Sequence, residues 1–214
     1  MNCKICQTPT LSFYDPRMES TFFHCRACEF IFKDEKNFVS KERELKQYQQ
    51  HNNSFESPGY VEMFQDFISH CITPYKSDIA TVLEFGSGPG PVLAELLKGE
   101  GYTVDIYDKF FSPKPVFKGK KYDLITSTEV IEHIKDPLEI MTFFHQHLND
   151  RGYLALMTQF HTNHIEDFLK WWYRIDPTHI TFYRPTTFQK LAELLDFELL
   201  YFDEKKLAVL QKKA

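Results

Sequence analysis

At 214 residues, 43% of them hydrophobic, the chain is long enough to bury the core of one full domain plus a small appendage. A formal charge of −5 and a pI near 6.0 argue against a surface that binds nucleic acid through overall charge, while leaving room for a local basic patch. No window approaches a membrane span of about eighteen apolar residues, and Met1-Asn2-Cys3-Lys4 lacks the apolar core of a signal peptide, so a cytoplasmic chain without membrane contact is expected.

The first element is a pair of knuckles. Cys3, Cys6, Cys25 and Cys28 read C-x2-C, eighteen intervening residues, C-x2-C. In an intracellular chain this spacing supplies the four sulfurs of a tetrahedral structural Zn2+ before it supplies disulfides, the alternatives being two redox dithiols or a site that has lost its metal. Residues 1–40 are therefore expected to form a zinc ribbon. Its aromatic filler is Phe13, Tyr14, Phe22, Phe23, Phe30 and Phe32, and with so little other core, metal binding should supply most of its folding free energy. His24 reads as a surface residue and Cys71, among Phe67, Ile68 and Ile72, as a small buried hydrophobe. Residues 41–78 read as a helical linker or lid: a charged helix over 41–50, the polar patch His51-Asn52-Asn53-Ser54, and an amphipathic helix over 58–73 with Tyr60, Met63, Phe64, Phe67, Ile68 and Ile72 at spacings of three and four.

Residues 79–214 are organised around Thr81 to Asp108. A β-branched apolar run, Thr81 to Phe85, enters Gly86-Ser87-Gly88-Pro89-Gly90, where bare backbone can approach a ligand. Val92, Leu93, Leu96 and Leu97 then follow at helical spacing, Gly99 and Gly101 end the helix, and a second strand runs to Tyr107. This is a parallel βαβ unit. Asp108, eighteen residues after Gly90, stands where a carboxylate can accept both hydroxyls of a ribose held over the turn.

The G-x-G-x-G spacing preceded by Glu84 differs from the dinucleotide pattern G-x-G-x-x-G, and the segment resembles the first motif of class I S-adenosylmethionine-dependent methyltransferases. That resemblance implies an α/β fold with a Rossmann-like, mostly parallel sheet and a C-terminal antiparallel hairpin, and S-adenosylmethionine as cofactor. It assigns cofactor contact to Glu84, Gly86, Ser87, Gly88, Gly90, Asp108 and Thr128, and gives His51 and Asn52, before the first strand, a place over the cofactor mouth. The interval 109–121 lacks a strand and helix of its own, where larger relatives hold a third strand and an acid near the adenine, which leaves adenine recognition unassigned. Strands follow at 122–127 and 153–157, with a helix over 138–148 opened by Pro137 and a turn at Asn149-Asp150-Arg151-Gly152. An inserted helix is expected over 163–174, ending in Trp171-Trp172-Tyr173, which can cap a substrate pocket, with at least one of the two tryptophans in the core. A helix over 184–195 and a hairpin of 197–202 with 207–211 close the chain.

Glu129-Val130-Ile131-Glu132-His133 is the candidate for chemistry. Read as a helical turn over 128–134, it puts Glu129, Glu132 and His133 on one face, where two carboxylates and an imidazole can hold Mg2+ or another divalent ion and activate a hydroxyl. The string resembles the E-x-x-E-H motif of ubiquinone-biosynthesis O-methyltransferases and of small-RNA 2′-O-methyltransferases. In the latter group a further histidine after the fifth strand completes the metal shell, and His179, or less well His161 or His164, lies in the comparable region. The plainer reading is the metal-free E-H-x-x-D-P segment common in small-molecule methyltransferases, with His179 as general base or substrate ligand, or as a satisfied buried histidine.

The expected function is thus methyl transfer to a small molecule, most simply to oxygen. The ribbon followed by such a domain is also similar to bacterial methyltransferases that modify sugars or natural products. The alternatives are an RNA methyltransferase whose ribbon, with Lys4, Arg17, Arg26, Lys33 and Lys36, grips the nucleic acid, and an inactive module that serves a partner protein. The sequence leaves the oligomeric state open.

Overall fold

The computed structural model describes residues 1–49 and 54–214. His51 and Asn52, expected over the cofactor mouth, lie outside the described residues. The N-terminal part holds β1 (Leu11–Asp15), β2 (Ser20–His24) and β3 (Ile31–Lys33), followed by α1 (Lys41–Tyr48) and α2 (Pro58–Cys71). The central unit runs β4 (Thr81–Phe85), α3 (Val92–Gly99), β5 (Thr103–Tyr107), β6 (Tyr122–Thr128), α4 (Pro137–His147) and β7 (Leu148–Met157). The last third comprises α5 (Ile165–Phe168), β8 (Thr181–Phe182), α6 (Pro185–Leu194), β9 (Phe197–Phe202) and β10 (Leu207–Lys212). Among the described residues no helix is long and apolar enough to cross a membrane.

The six-stranded sheet has the order β5-β4-β6-β7-β10-β9. β5, β4, β6 and β7 are parallel, and β10 and β9 form the antiparallel hairpin. The chain leaves β4 for β5 on one side and returns to β6 on the other, so the carboxyl ends of β4 and β6 flank the point where strand order reverses and a crevice opens. β5 is an edge because 109–121 contributes no strand, only a bridge from Asp108 to Ser112. Alternation along the strands separates two cores. Val82, Leu124, Ala155 and Val209 face α2 and α3, with Cys71 buried among them. Leu83, Ile125, Leu154 and Leu210 face α4 and α6.

Several expectations need correction. The second core continues without a break into Cys3, Ile5, Cys25, Cys28, Phe30 and Phe32, so the cysteine module, expected to have little other core, shares its hydrophobic support with the main sheet. Its strands belong to a four-stranded sheet, β1-β2-β3-β8, whose last strand comes from the far end of the chain. His24 is buried, with Nε2 2.7 Å from Asn163 Oδ1. The expected helix over 163–174 is two pieces, α5 and a 3-10 turn over Trp172–Ile175, with Trp171 extended between them. Burial of Phe168 and Tyr173 against Phe22, Ile31 and Phe182 overrides helical periodicity here. Trp171 packs on that cluster and Trp172 is exposed. Residues 149–152 are carried within β7, where Arg151 takes a positive φ of 62°.

Candidate active site

A cavity of about 870 Å3 lies over the carboxyl ends of β4, β5 and β6 and joins the glycine turn to the Glu129–His133 segment. The turn is shaped by close approach. Gly86 has φ +90°, and a Cβ built there would stand 2.2 Å from Val130 Cγ2; Gly88 has φ +64°. The Gly86 amide donates to the Tyr107 carbonyl at 2.7 Å and the Gly88 amide to Asp108 Oδ2 at 3.0 Å. Glu84, Ser87, Gly88, Asp108 and Thr128 line the cavity with Gly86, whereas Gly90 does not.

Asp108 is held by three backbone amides. Oδ1 accepts from the amides of Phe110 and Phe111 at 2.8 and 3.0 Å, and Oδ2 from Gly88. A carboxylate has about four lone-pair positions, so one remains on Oδ2 of this cavity-lining residue. Glu84 is buried, one of its oxygens lacks a hydrogen-bond partner, and burial pushes its carboxyl up to about 7.

The segment 128–134 is not one helical turn. Thr128 ends β6, Glu129 takes a left-handed φ of 54°, and a 3-10 turn covers Ile131–His133. The reason is local anchoring: the Glu129 amide donates to the Met157 carbonyl at 2.8 Å, holding it to the end of β7. Glu129 and Glu132 nevertheless converge, through Tyr173, whose spacing gave no sign of a link to either carboxylate. The Tyr173 hydroxyl lies 3.0 Å from Glu129 Oε2 and 2.6 Å from Glu132 Oε1. One phenolic proton cannot serve both. Burial pushes the Glu129 carboxyl up to about 7 and that of Glu132 well above the usual range, the Glu129 charge adding to the latter. The second oxygens, Glu129 Oε1 and Glu132 Oε2, are buried without hydrogen-bond partners among the described residues.

His179 completes the cluster. Ligand atoms of Glu132, His133 and His179 all lie within 4.8 Å of one another. His133 Nδ1 is 3.0 Å from the Thr178 carbonyl and His179 Nδ1 is 2.7 Å from the Tyr173 carbonyl. A carbonyl only accepts, so each Nδ1 carries the proton and Nε2 bears the lone pair, the tautomer of a histidine that ligates through Nε2. Burial holds the His133 imidazolium down to about 3. Asp176 turns the chain for this purpose, accepting at Oδ1 from the Thr178 amide at 2.8 Å. Its Oδ2 accepts from Gln47 of α1 at 3.2 Å. The other candidate histidines stand elsewhere: His161 Nε2 is 2.8 Å from the Glu29 carbonyl, and His164 precedes α5. A carboxylate, with Glu132 Oε1 3.8 Å from His133 Nε2, and two imidazoles whose Nδ1 atoms face carbonyls are a donor set that suits a divalent cation.

The four cysteines converge separately, with Sγ atoms of Cys3 and Cys28 3.6 Å apart and those of Cys6 and Cys25 3.4 Å apart. A zinc tetrahedron with bonds of about 2.3 Å has sulfur–sulfur edges of about 3.8 Å, so the thiols fit that ion with a small expansion. The Ile5 amide, 3.4 Å from Cys3 Sγ, is placed to donate to a thiolate.

A family model described as a methyltransferase domain matches residues 35–201. No curated protein sequence matches the chain. Among solved structures, an S-adenosylmethionine-dependent methyltransferase from Archaeoglobus fulgidus is 18% identical with a TM-score of 0.56, over 81% of this chain and 100% of that one. The magnesium protoporphyrin IX methyltransferase ChlM of Synechocystis, solved with S-adenosylhomocysteine (SAH), is 13% identical with a TM-score of 0.54, over 80% of this chain and 94% of that one. An O-methyltransferase family protein from Burkholderia thailandensis is 13% identical with a TM-score of 0.53, over 72% of this chain. The chain spans 56% of that protein's length. At these identities the likeness is one of fold.

Proposed function

Because the chain belongs to the methyltransferase-domain family, we propose that it transfers the methyl group of S-adenosylmethionine to a hydroxyl oxygen of a small, uncharged acceptor, beside a divalent cation held by Glu132, His133 and His179. The observation that carries this reading is the meeting of those three donors at the wall of the cavity that the glycine turn opens into. S-adenosylmethionine is supported by the family and by the crevice at Gly86 and Gly88. In this reading Glu84, Ser87, Asp108 and Thr128 surround the nucleoside.

The transfer is an in-line displacement. The acceptor oxygen forms its bond to the methyl carbon while the carbon–sulfur bond breaks; sulfur keeps the electron pair and becomes a neutral thioether, and the hydroxyl gives up its proton. When bound, a divalent cation acidifies a hydroxyl that coordinates it. The chain's own part is orientation: the Thr178 and Tyr173 carbonyls fix the two imidazole tautomers, and the Tyr173 hydroxyl lies between Glu129 and Glu132, donating to one while the other keeps its proton. Glu129 Oε1 stands as a proton acceptor beside the donor set. With no cation bound, His179 Nε2 is the base of the same reading.

Acceptor class follows from the wall. Its aromatic residues include Tyr48, Phe110 and Trp172, and its acids include Glu84, Glu129 and Glu132. Its one lysine among the described residues, Lys109, is paired with Glu44 at 2.5 Å. Such a wall favours a planar neutral alcohol or phenol over a phosphate-rich polymer.

The test is transfer of labelled methyl from S-adenosylmethionine to a panel of phenols, sugars and RNA, with Mg2+ or Mn2+ or with chelator. Transfer to a neutral hydroxyl compound, lost in His179→Ala while cofactor affinity is retained, is expected. Transfer only to RNA, or equal transfer by His179→Ala, overturns the reading.

A further inference from the structure

None of the described residues that line the cavity precedes Gln47, so the four-cysteine module does not touch the substrate space. Its sheet instead runs into the back of the segment that bears Tyr173 and His179. β3 pairs with β8 in the register Ile31↔Phe182 and Phe32↔Thr181, and the Lys33 amide donates to the Ile180 carbonyl at 2.8 Å. The Lys33 side chain, buried in the molecule, donates to the Pro177 carbonyl at 3.0 Å. Asp15, the last residue of β1, pairs with Arg174 at 3.0 Å from Oδ2 to Nε, both buried. Arg174 also donates to the Leu169 carbonyl. The Asp15–Arg174 contact has the distance of an ion pair without the angle of a straight hydrogen bond, so charge does most of the holding. Asp15 Oδ1 in turn accepts from the amides of Arg17 and Met18 and closes the β1–β2 turn.

The opposite side of the same segment faces the reacting cluster. The Ile180 amide donates to the Glu132 carbonyl at 2.8 Å, Thr181 Oγ1 donates to the Ile131 carbonyl at 2.9 Å, and the hydroxyl of Tyr173, next to Arg174, lies between the Glu129 and Glu132 carboxyls. Residues 173–182 are thus a bridge with the cysteine module on one side and the proposed cation ligands on the other. We propose that the four-cysteine module is a positioning device for the active site, acting through β3–β8 pairing and through Asp15 and Arg174, which are positioning residues for Tyr173 and His179. The cation readout below rests on the function proposed above; the exchange readout does not.

The experiment uses the zinc-loaded full chain. Mn2+, which oxygen and nitrogen donors take in preference to a thiolate site, is titrated by electron paramagnetic resonance with SAH present; SAH affinity is measured by calorimetry, and hydrogen exchange is followed in peptides covering 173–182 and 81–107. For Asp15→Asn the expected results are a Mn2+ dissociation constant raised about 10–100-fold, as for loss of a group that orients ligands, and exchange about tenfold faster in 173–182. Exchange in 81–107 is expected to be unchanged and SAH affinity to stay within about twofold, because the glycine turn makes no contact with Asp15. Arg174→Lys, which keeps the charge and loses the planar fork, should give a smaller effect of the same kind and carries the test if Asp15→Asn does not fold. Arg26→Ala, on the exposed face of the module, should change nothing. Unchanged exchange in 173–182 in the folded Asp15→Asn and Arg174→Lys variants overturns the inference. If the parent binds no Mn2+, the cation reading falls, and the exchange comparison still decides the positioning role.

Discussion

Replacing Gly86 by alanine adds one methyl group at a crowded point of the glycine turn. Two costs follow from the geometry. A residue with a Cβ at φ +90° pays about 1–2 kcal/mol for left-handed backbone. The methyl group itself would stand 2.2 Å from Val130 Cγ2 and 3.1 Å from Cγ1, an overlap that forces Val130 or the turn to move at about 1–3 kcal/mol. Together these destabilise Gly86→Ala by about 2–5 kcal/mol in denaturant unfolding. Val130 follows Glu129, so the shift reaches the carboxylates as well. A double-mutant cycle separates the parts. In a Val130→Ala background the Cγ atoms are gone and the nearest neighbour of the three is Val130 Cβ at 3.2 Å, so the same substitution should cost only the backbone part, about 1–2 kcal/mol. SAH affinity, read by calorimetry, should follow the same order. An equal cost in both backgrounds would show that the Val130 contact does not shape this turn.

Three further outcomes follow from the site. Asp108→Asn keeps an acceptor for the Phe110 and Phe111 amides but removes the charge proposed to accept from the ribose diol, so SAH should bind about 1–3 kcal/mol more weakly by calorimetry; an unchanged dissociation constant removes that role. Glu84, held up to about 7 from 4.5 by burial, keeps its proton in the folded state where the unfolded chain has lost it, so this group lowers stability as pH rises from about 4.5 to about 7 and leaves it flat below that window. Glu84→Gln should therefore match the parent in urea at pH 4 and exceed it by up to about 3 kcal/mol at pH 8; a gap independent of pH contradicts the cause assigned. Elemental analysis of the purified chain should find about one zinc per chain, lost together in Cys3→Ser/Cys28→Ser; a zinc-free protein with four reactive thiols would remove the metal from the module.

The sheet was legible because its signals are local. The apolar run before Gly86, the helical spacing of Val92, Leu93 and Leu97, and the turn before Leu207 each fix an element within a few residues, and 109–121 declared its missing strand by composition. The cysteine spacing likewise brings four sulfurs together. What stayed hidden depends on contacts between distant parts. His24 reads as exposed by its neighbours and is buried by Asn163. The aromatic run Trp171-Trp172-Tyr173 has helical spacing, yet packing of Phe168 and Tyr173 against β2 and β3 breaks the helix. The E-x-x-E-H spacing suggested one helical face; a left-handed Glu129 and a tyrosine forty-four residues away perform the convergence instead. No periodicity signals the Asp15–Arg174 pair, because its partners are separated by most of the chain and meet only once β8 joins the first sheet.

The most direct test is a crystal structure grown with SAH and Mn2+, with the metal located by anomalous scattering. The nucleoside should lie over Gly86 and Gly88 with its ribose at Asp108, and one manganese peak should stand among Glu132, His133 and His179. A nucleoside bound elsewhere, or an ordered cofactor with no manganese within coordination distance of those three side chains, would contradict the account.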